Sequence, residues 1–151
     1  LMKAILINAN LKKTYILGAN FEKSNLKKSK FNESSSGDEL DNAEDFELYF
    51  GAVFVFTDLS EADFTDAILT ESEFLSSNLY KANFTRADLK DASFHSANLK
   101  EANLTDASVR NLSVYDAILC NTKTPWGIDN TGCKKKFKLL VNTEYKKVSE
   151  L

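Results

Sequence analysis

The chain has 151 residues, a formal net charge of −3, 43% hydrophobic and 27% charged residues, and only five Gly and one Pro. Average usage of roughly 12% would give about 18 Gly and Pro, so the scarcity excludes collagen-like, low-complexity and linker-rich chains and disfavours a hairpin-dense β-sandwich. The length suits one domain with a sizeable core, the pI near 5.3 gives no general attraction to nucleic acid or anionic membrane, and no apolar run spans a bilayer.

Residues 1–33 form a first block. Large apolar residues recur every five positions at Leu6, Leu11, Ile16, Phe21, Leu26 and Phe31, here termed centres. Each has a small residue two positions earlier: Ala4, Ala9, Thr14, Ala19, Ser24 and Ser29. Residues 34–51 interrupt this pattern. Phe31 and Phe54 are 23 positions apart, which is not a multiple of five, and nothing between them pairs a small residue with a centre. The stretch reads as an acidic insertion of about 18 residues, looped out between consecutive units. Its acids, Asp38, Glu39, Asp41, Glu44, Asp45 and Glu47, do not fit the EF-hand spacing. A solvated loop is expected, with calcium binding as the alternative.

Residues 52–121 form the main block. Its fourteen centres are Phe54, Leu59, Phe64, Leu69, Phe74, Leu79, Phe84, Leu89, Phe94, Leu99, Leu104, Val109, Val114 and Leu119, and ten of them are preceded by Ala at the small position. A period of five fits neither regular element. A helix would drift by about 140° per unit, and a straight strand would turn every second centre outward. Small residue and centre are two apart, so they share a side as in a strand. The chain must then bend once per unit, and repeated bends in one sense make a solenoid.

The A-[DN]-[LF]-x-x pattern resembles the pentapeptide repeat family, over about 100 residues. The resemblance implies an all-β fold, a right-handed quadrilateral β-helix with four units per coil. Twenty units give about five coils, a column of ~24 Å at ~4.8 Å per coil. Centres twenty residues apart then stack: Phe54, Phe74 and Phe94 with Val114, and Leu59, Leu79 and Leu99 with Leu119. Phe occupies two opposite faces and Leu the other two. A filled interior leaves no room for a substrate or cofactor, so no catalytic, cofactor or metal site is expected. The outward positions matter instead. If Phe54 directly follows Phe31, the residues just after the centres of one face are Leu17, Val55, Leu75, His95 and Tyr115. This is a mainly apolar ladder, a candidate interaction face unless the insertion, with Phe46, Leu48, Tyr49 and Phe50, folds over it.

Residues 122–151 form the cap. The stretch C-N-T-x-x-P-W-G followed by G-C resembles the C-terminal tails of cyanobacterial and plastid members of the family. That resemblance implies a Cys120–Cys133 disulfide and an oxidising compartment, thylakoid lumen or periplasm, with a signal peptide already removed. Two reduced thiols in a cytoplasm are the alternative. Beyond the bridge, Phe137, Leu140, Val141, Tyr145 and Val148 have helical spacing, so residues 134–149 read as a basic amphipathic helix covering the last coil. Charge is segregated: residues 1–33 sum to +5, 34–53 to −6, 54–119 to −6 and 120–151 to +4. The expected function is a non-enzymatic structural or protein-interaction module with a protein partner, no nucleic acid and no membrane span. The alternative is a DNA-mimicking topoisomerase inhibitor, which some members of the family are.

Overall fold

The structure, a computed structural model, describes residues 3–11, 21, 25–28, 30–31 and 51–136. Parallel bridges join the residue before each centre to its counterpart twenty positions on, from Val53 with Glu73 and Asp58 with Asn78 up to Asn103 with Lys123. Twenty residues in bent units of five make four faces per coil. Three backbone hydrogen bonds tie each unit to its neighbours: Leu59 N–H to Asn78 O at 2.8 Å, Glu61 N–H to Tyr80 O at 2.8 Å, and Asn78 N–H to Thr57 O at 2.9 Å. Each unit bends before a long ladder can form. The only continuous strands among the described residues are therefore β1 (Thr122–Thr124) and β2 (Gly127–Asp129), an antiparallel hairpin at the end of the column.

The corners explain the shortage of glycine. A centre carbonyl accepts from the N–H three residues on, as Leu59 O does from Ala62 at 3.0 Å. The residue two after the centre has a positive φ, for instance 60° at Glu61, 57° at Asp66 and 58° at Lys81. A positive φ at the third position marks a type II turn, which ordinarily takes Gly. A non-Gly residue there costs about 1–2 kcal/mol, and the inter-coil bonds on either side hold it in place. At three small positions where Ser or Thr replaces Ala, the hydroxyl binds a carbonyl of the coil below. Thr57 Oγ1 donates to Phe21 O and Thr122 Oγ1 to Leu99 O, each at 2.8 Å, and Ser77 Oγ donates to Phe54 O.

Inside, the centres fill the cross-section. The column Phe21, Phe54, Phe74, Phe94 has ring centroids 4.8–5.0 Å apart in stacked geometry. The opposite column, Phe31, Phe64, Phe84, repeats at 4.7–4.8 Å. Rings of the two columns meet edge to face at 5.4–6.2 Å. The result is a herringbone of seven phenyl rings, all buried, in the arrangements that the ring quadrupole favours. Leu59, Leu79 and Leu99 line a third face and Leu69 and Leu89 the fourth, with Ala62, Ala82 and Ala102 keeping the backbone close; all are fully buried.

The register across the insertion differs from the one read in the sequence. Asn25 bridges to Asp58 and Lys30 to Asp63, so the offset is 33 residues, and Phe21 stacks beneath Phe54. Subtracting one coil of twenty leaves thirteen extra residues, not eighteen, and a further unit fits between Phe31 and Phe54. Residues 32–50 lie outside the described residues. Gly51 already belongs to the column, since a Cβ there would run into the backbone of Glu71 and Ser72 one coil on. Leu17, which follows Ile16 and not Phe21, therefore drops out of the proposed ladder, and it too lies outside the described residues.

Phe74 touches Phe54 and Phe94 along the axis and Phe64 and Phe84 across it. Phe74→Ala is expected to lower the free energy of unfolding by about 3–5 kcal/mol. Urea denaturation checks this, and a loss under about 1 kcal/mol would contradict the herringbone.

Candidate interaction face and capped end

Two faces satisfy their outward polar groups internally. On the Leu59 face, Asn78 Nδ2 donates to Asp58 Oδ1 at 3.1 Å and Asn98 Nδ2 to Asn78 Oδ1 at 2.9 Å. On the Phe64 face, Asn83 and Asn103 donate to Thr65 and Thr85 Oγ1 at 2.9 Å, while each Thr hydroxyl donates at 2.6 Å to Asp63 or Asn83 of its own unit. The Phe54 face carries a different set. Val55 and Leu75 are half-buried, His95 is exposed, and Tyr115 is 72% exposed. The Tyr115 and His95 rings lie 4.9 Å apart at a 47° tilt. Four of the five ladder residues thus lie one above another, increasingly open toward the C-terminal end.

Among the described residues, that end is closed on one side only. β1 continues the Phe64 face: Leu104 N–H donates to Lys123 O at 2.6 Å, and Lys123 N–H to Ala102 O at 2.9 Å. A turn through Pro125 and Trp126 reverses the chain into β2, with Lys123 opposite Ile128. The chain then returns over Leu119. Gly132 N–H donates to Leu119 O at 2.7 Å, and Asn121 N–H to Asn130 Oδ1 at 2.7 Å. A Cβ on Gly132 would lie 2.6 Å from Leu119 N, so only glycine permits this approach. Cys120 and Cys133 are joined as a disulfide, with Cα atoms 4.6 Å apart. Cys120 stands just after its centre, facing outward yet covered by the bridged loop. Val109, Leu112 and Val114 remain partly buried on the opposite side of the last coil. The segment read as a helix begins at Lys134. Residues 134–136 are not helical, and residues 137–151, including all five residues with helical spacing, lie outside the described ones.

Lys135 pins the returning chain to the side of the column. Its Nζ donates to Asp116 Oδ1 at 2.9 Å, beside Tyr115. This hydrogen bond and the ammonium charge, with His95 contributing from further away, hold the Asp116 carboxyl below the usual carboxylate range. At the hairpin tip, Trp126 is 62% and Ile128 68% exposed, flanked by the exposed Lys123. The sequence places Pro125, Trp126 and Gly127 in the cap but gives no sign that both large apolar side chains face solvent. Among the described residues, no group of three or more His, Cys, Asp and Glu could hold a metal, and no helix is long and apolar enough to cross a membrane. The acidic insertion falls outside that statement.

The sequence matches the Pentapeptide repeats family in eight copies, over residues 4–35, 50–86, 67–106 and 87–123. The chain belongs to that family, and its fold is the right-handed quadrilateral β-helix. Among solved structures it is similar to a pentapeptide repeat protein, Rfr23, from the cyanobacterium Cyanothece 51142, at 16% identity and a TM-score of 0.63, covering 76% of this chain and 82% of that one. It also matches HetL, a pentapeptide repeat protein involved in heterocyst differentiation regulation in the cyanobacterium Nostoc, at 29% identity, TM-score 0.29, 84% of this chain and 60% of that one. A third match is a pentapeptide repeat protein from the Arabidopsis thaliana thylakoid lumen, at 19% identity, TM-score 0.33, 81% of this chain and 66% of that one. No curated protein matches the sequence.

The Asp116–Lys135 contact yields a pH signature. Because the folded pKa lies below the unfolded value, the contact stabilises the cap above the ordinary aspartate range and is lost as pH falls through the lowered value. Lys135→Ala should move the Asp116 titration upward toward that range, read by carboxyl-carbon NMR. An unchanged midpoint would mean that Lys135 does not hold Asp116.

Proposed function

We propose that this pentapeptide repeat protein is a non-enzymatic protein-interaction module whose working surface is the Val55, Leu75, His95, Tyr115 ladder. One observation carries the reading: Tyr115 is 72% exposed on the face where, among the described residues, the positions just after the centres are mainly apolar. An exposed, rigidly mounted Tyr beside an aliphatic strip is the composition of interface cores. The packed phenyl interior supports a non-enzymatic role, because function is left to the outside. DNA mimicry is disfavoured by the corners. A continuous acidic surface would be needed, whereas two of the corner columns alternate in sign, through Lys28–Glu61 at 3.4 Å, Lys81–Glu101 at 3.7 Å and Arg86–Asp66 at 2.7 Å.

The working compartment is an oxidising one, thylakoid lumen or periplasm. The Cys120–Cys133 bridge supports this, since such bonds do not persist in a reducing cytosol.

A photo-crosslinking residue at Tyr115 or Leu75 should capture one discrete protein in cells of the source organism, whereas the same residue at Thr85, on another face, should capture none. Equal labelling from both faces, or none from either, rejects the interaction reading. Mass spectrometry after alkylation under non-reducing conditions should find no alkylated cysteine in natively isolated protein. Two alkylated thiols would move the protein to a reducing compartment.

A further inference from the structure

We propose that the hairpin at the capped end docks the protein on an anionic lipid surface. This goes beyond the protein-interaction reading and uses a different part of the molecule. Trp126 and Ile128 are 62% and 68% exposed at the tip of the hairpin. An indole is suited to the headgroup level of a bilayer, with its apolar ring facing the acyl chains and its N–H facing water. The mounting is rigid. β1 is hydrogen-bonded into the column through Leu104 and Ala102, Thr124 Oγ1 donates to Gly127 O at 2.6 Å across the turn, and the Cys120–Cys133 bridge closes the loop behind it. Little conformational freedom remains to be lost on docking.

Charge selects the kind of surface. The whole chain carries −3, which gives no general attraction to anionic lipid. Charge is unevenly distributed, however. Residues 120–136 hold Lys123, Lys134, Lys135 and Lys136 against Asp129 alone. The Asp129 carboxylate already accepts from the Thr131 N–H at 2.8 Å and the Thr131 hydroxyl at 2.7 Å. Lys135 is engaged by Asp116, while Lys123, Lys134 and Lys136 are exposed. Ile128 lies opposite Lys123 on the hairpin, and Lys134 and Lys136 are exposed on the returning chain of the same end, so this end combines apolar insertion with attraction to lipid phosphates. The acidic mid-column, −6 over residues 54–119, disfavours docking by the sides of the column.

Trp126 is the only tryptophan, so the intact, oxidised protein reports on its own docking. Vesicles of phosphatidylcholine containing phosphatidylglycerol should shift its emission to shorter wavelength, and high salt should reverse the shift. Pure phosphatidylcholine vesicles should leave it unchanged. In co-sedimentation, Ile128→Ser should weaken binding about tenfold or more, and Lys134→Glu about fivefold or more. Both sites are exposed, and thermal unfolding of the variants matched to the parent shows that the fold is kept. Emission unchanged by phosphatidylglycerol vesicles, an equal shift on neutral vesicles, or undiminished binding by both variants overturns the proposal. A shift produced only by lipid-free soluble protein would make the tip a protein-binding surface and overturns it as well. None of these outcomes bears on the Tyr115 face, so the two readings fail separately.

Discussion

The twenty-residue backbone register is the constraint on which everything else depends. Each unit gives hydrogen bonds up and down the column, as Leu59 does to Asn78 and Asn78 to Thr57. Side chains twenty apart are therefore forced to within one coil spacing of each other. A large residue cannot then sit above a small one without a void, and interiors tolerate few voids. Like stacks on like: Phe54, Phe74 and Phe94 in one column, Leu59, Leu79 and Leu99 in another. The same register that makes stacked phenyl rings possible sets them at about their preferred spacing.

A column built this way assigns its surface by default. Outward positions also repeat every twenty residues, so any side chain becomes part of a row. Asp58, Asn78 and Asn98 form a hydrogen-bonded row, and Lys81 and Glu101 part of an alternating charged corner. Such rows satisfy themselves and have little left for a partner. The Val55, Leu75, His95, Tyr115 row does not close on itself in this way, apart from one ring contact between His95 and Tyr115. Repetition thus makes the exception visible.

Much of this was legible from the sequence because period and register are one-dimensional properties. The centres, their stacking and the alternation of Phe and Leu faces follow from counting positions. Counting fails where the pattern loses its small residue. Between Phe31 and Phe54 no small residue and centre mark a unit, so the register slipped by one unit, taking Leu17 with it. Exposure was also beyond the sequence. Nothing in the order of residues tells that Trp126 and Ile128 face solvent while Val109 and Val114 are partly buried.

The breaks in the repeat carry the individuality of the molecule, for a physical reason. Within the column, a change at any outward position is constrained by neighbours one coil above and below. At the end that constraint lapses, and another device must hold the chain. Here it is a glycine that lets the backbone lie against Leu119, a disulfide from Cys120 to Cys133, and an ammonium of Lys135 on Asp116. Each acts behind the hairpin tip and none on it. The cap is therefore stabilised without using the side chains of Trp126, Ile128 or Lys123, which stay available for contact with something else.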